Sequence, residues 1–194
     1  MKYETEYLNI LNEELKKAMG CTEPIAISYL VCTLRDLLGE IPRIVNVYVS
    51  GNILKNVKSV VVTNSGWLCG IKAATALGII AGKKELKLEC ISKATVEDKI
   101  KMQEYLKNIE IKILSSEDGF VFDIQIVMFG ENSVYEGRIK DKYRLTLILI
   151  RECASVGYQE KKIKSTHEEC LNNYKPNIFK ISLCIKSGFS LTSC

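Results

Sequence analysis

The chain has 194 residues, 47% apolar, 26% charged and 8% aromatic, which suits a domain that can bury a core and excludes wholesale disorder or a collagen-like repeat. Its 27 Lys and Arg against 23 Asp and Glu leave a formal charge of +4, spread along the chain with no arginine-rich block, so no nucleic-acid partner is expected. The charged start Met1-Lys2-Tyr3-Glu4 does not read as a signal peptide, and the longest apolar run, residues 25–34, is shorter than the ~18 residues of a membrane span. A cytoplasmic protein with no membrane partner is the expectation, its eight cysteines reduced rather than paired into a framework.

In chain order, Tyr7, Leu8, Leu11, Leu15, Ala18 and Met19 recur at helical spacing, with Gly20 at the C-cap, which predicts a helix over 4–19. Thr22 can cap a second helix, with Pro24 in its first turn and Glu23 complementing its dipole. The nearly continuous apolar run of residues 25–38 marks that helix as buried on most sides, and Gly39 ends it. Residues 44–49 alternate and are rich in β-branched side chains, which predicts a strand. Ser50-Gly51-Asn52 reads as a turn, residues 57–62 as a short extended piece, and Asn64-Ser65-Gly66 as another turn.

Ala73, Ala74, Ala76, Leu77, Ile79 and Ile80 predict a central helix that ends near Gly82, its small side chains allowing another backbone close. Residues 86–91 are expected as a strand, and Thr95 as the cap of a helix reaching about Asn108. Strands over 109–114 and 120–129, joined at Glu117-Asp118-Gly119, predict a hairpin, with further extended stretches at 133–138 and 143–150. The sum is an α+β fold, three or four helices packed with a mostly antiparallel sheet. A boundary is placed near 150, dividing a domain of residues 1–150 from a tail of 151–194 that carries Cys153, Cys170, Cys184, Cys194 and the chain's one histidine, His167.

Cys21 is the first candidate for chemistry. Between a helix C-cap and a helix start, it faces free backbone N–H groups and a positive dipole end, which predicts a lowered pKa and a thiolate fit to bind iron or attack an electrophile. Its bland alternative is a small cysteine packed at a helix junction. Cys32, Cys69 and Cys90 fall in apolar stretches and read as core. The tail's His167 and cysteines suit zinc by type but fit no standard spacing. No Walker loop, dinucleotide fingerprint or Ser-His-Asp order is present, and the lysine runs at 83–84 and 161–164 read as solvated faces.

Gly20-Cys21-Thr22-Glu23-Pro24-Ile25-Ala26, followed by Val49-Ser50-Gly51-Asn52-Ile53-Leu54-Lys55-Asn56 and the small-residue stretch from Gly70 to Gly78, resembles the L-cysteine desulfidase family, within the serine-dehydratase-like α-subunit group, the UPF0597 proteins. The likeness runs from about Leu8 to about Ile150. It implies an oxygen-sensitive [4Fe–4S] lyase that eliminates the β-substituent of a small amino-acid substrate: L-cysteine, giving hydrogen sulfide, ammonia and pyruvate, or L-serine. Three cysteines hold the cluster in this group and leave one iron open as a Lewis acid. By position Cys21 matches the first ligand, and Ser50, Asn52 and Asn56 carry donors and acceptors for the substrate's carboxylate or ammonium. Turn residues that satisfy their own backbone are the alternative for those three.

The resemblance also shows departures. Members of the group are about twice as long, with the other two ligands in their second half. Their His-Thr-Asn-Ile motif stands here as Leu145-Thr146-Leu147-Ile148, and their glycine-rich loop as the stretch from Val60 to Gly66. The catalytic base has no assignment. An active lyase therefore needs a second chain carrying the missing half, or a homodimer. The other expectation is a non-catalytic truncated remnant or scaffold subunit. Losing the second half is expected to leave the helix of residues 25–38 and the Ala-rich helix with exposed apolar faces.

Overall fold

A five-stranded sheet in the order β2-β1-β3-β4-β5 carries the helices. The structure is a computed structural model that describes residues 5–9, 18–116, 119–142 and 145–153, and from residue 141 onward the backbone alone. The strands are β1 (Ile44–Val49), β2 (Glu110–Ser115), β3 (Asp123–Phe129), β4 (Val134–Lys142) and β5 (Leu145–Cys153), and the helices are α1 (Thr22–Leu38), α2 (Gly51–Val57), α3 (Gly70–Ala81) and α4 (Val96–Asn108). Three of the four strand pairings are antiparallel, and only β1 with β2 is parallel, so the α+β class and the mostly antiparallel sheet hold. Residues 5–9 are helical as expected, whereas Ala18 and Met19, inside the expected helix, are not. The 151–194 tail, with His167, Cys170, Cys184, Cys194 and the thiol of Cys153, lies outside the described residues, although the β5 backbone runs through Ile150 to Cys153.

The expected hairpin of the 109–114 and 120–129 strands is corrected. β2 and β3 do not pair, and β1 lies between them, with Val47 opposite Ile113 on one side and Ile126 on the other. A parallel partner needs a long crossover. Residues 50–109 supply one, through α2, α3 and α4.

The expected strand over 86–91 is a 3-10 helix at Lys84–Glu89, kinked at Lys87 with φ 49°. Its alternating leucines suggested a period of two, but the Lys83 N–H donates to the Cys90 carbonyl at 2.9 Å and closes the segment into a compact link between α3 and α4. The extended piece at 57–62 reduces to one bridge, between Val61 and Cys69.

α1 and α3 pack side by side and run in the same direction. The Ser28 hydroxyl donates to the Ala74 carbonyl at 2.8 Å, while Arg35 donates to the carbonyls of Ile79 and Gly82 at 2.6 and 2.8 Å. Those arginine bonds satisfy orphan carbonyls at the end of α3. Gly78 lets the backbones meet: a β-carbon there would lie 2.7 Å from the Ser28 carbonyl oxygen.

The expected apolar face is corrected by this packing. Ile25, Ile27, Leu30 and Leu34 of α1 and Leu77 and Ile79 of α3 are fully buried between each other and the sheet. Each such side chain contributes roughly 1.5–3 kcal/mol of burial. Because α1 antiparallels β1 across a short turn, the start of α1, the start of α3 and the end of β1 come to one end of the molecule.

Candidate functional site

The turn into α1 is built by Gly20, whose φ of +88° is open to glycine and costly for other residues. Met19 turns back along the core, its N–H donating to the Leu88 carbonyl at 3.1 Å. Thr63, from the stretch that replaces the glycine-rich loop, sits where a Gly20 side chain would stand. Cys21 becomes the N-cap of α1, with an exposed thiol that turns to a first-turn side chain instead of capping the helix backbone in the usual way.

Glu23 gathers the neighbouring polar groups. Its carboxylate accepts from the Cys21 thiol at 2.9 Å and from the Thr22 hydroxyl at 3.2 Å. The Asn56 side chain, from the last turn of α2, also bonds to it. Burial alone would raise the Glu23 pKa, but these bonds and one from its own backbone N–H outweigh burial and hold the carboxylate below its usual range. The two stretches that carry the family resemblance therefore meet at one carboxylate. Sequence reasoning gave Glu23 only a dipole role; its place inside the Gly-Cys-Thr-Glu-Pro stretch was the available signal.

The expected thiolate at Cys21 is corrected. Partial burial, donation to Glu23 and that residue's negative charge push the thiol up to about 11, against weaker lowering by the backbone N–H groups of Thr22 and Glu23. The helix terminus does act on the sulfur, but a carboxylate at hydrogen-bond distance outweighs it.

Ser50, Asn52 and Asn56 separate by role. Ser50 is buried and caps α2: its hydroxyl accepts from the Ile53 N–H at 3.4 Å and donates to the Val121 carbonyl at 2.8 Å. What reads as a turn at 50–52 is thus the start of a helix. Asn52 is exposed in the first turn of that helix. Asn56, also exposed, reaches Glu23 as described.

Cys69, expected in the core, is corrected to an exposed N-cap of α3, because Gly70 begins that helix with φ +89°. Since α1 and α3 run in the same direction, the two exposed cysteines cap helices at one end of the pair. Trp67, two residues earlier, is 86% exposed with φ +71°. Cys32 and Cys90 are buried, as expected. Among the described residues no group of three His, Cys, Asp or Glu side chains comes together to hold a metal ion. None of the described helices is long and apolar enough to cross a membrane.

An α+β domain that presents a capping cysteine, a carboxylate and side-chain amides at the shared end of two parallel helices is the class that the fold and site define. Comparison with known proteins narrows it. The chain is 48% identical over 140 residues to a UPF0597 protein of Desulfitobacterium hafniense, a match covering 72% of this chain and 33% of that relative. It is 47% identical over 128 residues to one from Fusobacterium nucleatum, covering 66% of the chain and 30% of the relative. Against one from Caldanaerobacter subterraneus it is 34% identical over 153 residues, covering 79% and 34%. This chain belongs to the UPF0597 family. It spans about a third of the length of the curated relatives it matches. No protein-family model matches it, and no solved structure does.

Proposed function

We propose that this chain supplies the first cysteine ligand and part of the substrate pocket of an iron–sulfur lyase that removes the β-substituent of L-cysteine or L-serine. The observation that carries the reading is the junction at Glu23, which joins Cys21 and Thr22 to Asn56 at an exposed end of the fold. With cysteine as substrate, elimination followed by hydrolysis consumes one water and gives pyruvate, ammonia and hydrogen sulfide.

A [4Fe–4S] cluster calls for several thiolates. Among the described residues Cys21 can supply one, so they meet part of that demand, and the other ligands belong to the family length that this chain does not span. When bound, such a cluster supplies an open iron as a Lewis acid. Glu23 accepts a hydrogen bond from the Cys21 thiol in the resting geometry and so holds the sulfur toward the site. Asn52 and Asn56 present amide groups suited to an amino-acid carboxylate. Ser50, with both lone-pair and proton engaged by backbone, fixes the start of α2 and thereby the position of both amides. The base that removes the α-proton is left to the rest of the assembly.

The test is anaerobic reconstitution with iron and sulfide, of this chain alone and with a partner chain spanning the remaining family length. Charge-transfer absorbance and sulfide release from L-cysteine are expected in the mixture and lost in Cys21→Ala. If neither signal appears with or without the partner, the lyase reading is rejected. A non-catalytic scaffold subunit is the second reading, favoured by the absence among the described residues of any group of three metal-ligating side chains; under it Cys21→Ala changes no property of the mixture.

A further inference from the structure

The core holds a second pair of thiols that the lyase reading does not use. Cys32 lies in the third turn of α1, and Cys90 follows the 3-10 helix; both are fully buried. Each thiol is the strongest influence on the protonation of the other. Local backbone explains the approach. Gly82 lets the end of α3 come directly against Cys32, since a β-carbon there would fall 2.5 Å from Cβ of Cys32. The next residue, Lys83, donates its N–H to the Cys90 carbonyl at 2.9 Å. The end of α3 therefore pins Cys90 beside α1, with the Cys32 thiol also within 3.2 Å of the Tyr29 carbonyl.

We infer that Cys32 and Cys90 are an oxidative modification site, a buried dithiol that closes to a disulfide when hydrogen peroxide reaches it. The pair is asymmetric. Cys90 beside it, and burial second, hold the proton on Cys32, whose S–H points to the Tyr29 carbonyl at 3.2 Å, while the neighbouring Cys32 keeps Cys90 below the ordinary thiol range. Because the Cys32 S–H is engaged by the Tyr29 carbonyl, Cys90 is the sulfur that attacks the peroxide. It takes one oxygen and becomes a sulfenic acid, and the other peroxide oxygen leaves as water. Cys32 sulfur then displaces the hydroxyl, which leaves with the Cys32 proton as a second water. Both sulfurs are oxidised by one electron each, and the peroxide is reduced by two. A disulfide in a reducing compartment is characteristically transient and redox-responsive. This one would join α1 to the segment whose Leu88 carbonyl holds Met19, immediately before the Cys21 turn. The inference stands apart from the lyase reading and does not depend on it.

The full chain, folded and treated with hydrogen peroxide, is alkylated, unfolded and digested with trypsin. The expected product joins peptide 18–35 to peptide 88–93, lighter by two hydrogens than the sum of the thiol forms, with fragment ions placing the bond at Cys32 rather than Cys21. Reduction before digestion abolishes it, and Cys90→Ser lacks it. Recovery of Cys32 and Cys90 only as alkylated thiols, under peroxide that has oxidised the exposed Cys21, overturns the inference. So does a bond from either residue to any other cysteine. The wild-type peptide map decides the matter even where the serine variant does not fold.

Discussion

A thiol at a helix start is usually an argument for reactivity, yet here one neighbouring carboxylate reverses it. In the metal-free chain Cys21 holds its proton through the neutral range, because its pKa lies near 11 rather than at the ordinary 9.0. Alkylation by iodoacetamide at pH 8 is expected to be ~10–100-fold slower than for an unperturbed thiol, since only the thiolate reacts. The rate should keep climbing with pH beyond 9 and level off only near 11. Glu23→Gln removes the acceptor charge but not the burial, so it should accelerate the reaction without restoring ordinary behaviour. Mass spectrometry of peptide 18–35 against time and pH measures both; equal rates in the two proteins would refute the assignment to Glu23.

Asp123 and Arg138 make a comparable point in the sheet. Arg138 donates twice to the Asp123 carboxylate at 2.7 Å, with the aspartate side chain 1% exposed, and Ser116 donates to the same carboxylate. Removing one partner leaves the other charge buried, so Asp123→Asn is expected to cost about 3–5 kcal/mol. A urea titration of the full chain reads the loss.

Among elements, the parallel contact of α1 with α3 rests on one missing side chain. In an exposed helix Gly→Ala gains up to about 1 kcal/mol. At Gly78 the new methyl would meet the Ser28 carbonyl at 2.7 Å and its Cα at 2.9 Å, and backbone cannot swing aside as a side chain can. Overpacking of this kind costs roughly 1–3 kcal/mol, so the sign inverts and Gly78→Ala should lower the denaturant midpoint. A neutral or stabilising result would mean that the helices do not touch there.

The run of small residues made this contact legible in the sequence, as Thr95 did for α4: its hydroxyl accepts from the Asp98 N–H at 3.2 Å, completing a capping box. Local patterns of that sort reside in neighbouring residues. The position of β1 between β2 and β3 does not, because pairing across 60 residues depends on which strand completes the buried face. Nor could spacing reveal that Asn56 reaches Glu23, since that contact exists only once α2 has packed beside α1. Gly70 held the clue to Cys69, but the apolar run around it outweighed the breaker.

At the scale of the whole molecule, several large apolar side chains of the site end stand in water. Trp67 is 86% exposed and Val121 70%, with Leu54 and Val61 also uncovered. Each is tied to the site: Val61 bridges to Cys69, Trp67 lies two residues before it, the Val121 carbonyl holds Ser50, and the Leu54 N–H donates to the Ser50 carbonyl. A tryptophan held in the left-handed region and left in solvent gains little within this chain. The relatives are about three times the matched length, so a surface that covers this end has a source in the family. Trp67 is the chain's single tryptophan, so its emission reports on that end alone. Adding a partner chain that spans the remaining family length is expected to shift the emission to shorter wavelength and to reduce acrylamide quenching. The shift should saturate at one partner per chain and survive Cys21→Ala, because it reports apolar burial rather than metal binding. A partner that binds while leaving the emission and quenching of Trp67 unchanged would have docked elsewhere, and would remove the apolar rim as the means by which the site is closed.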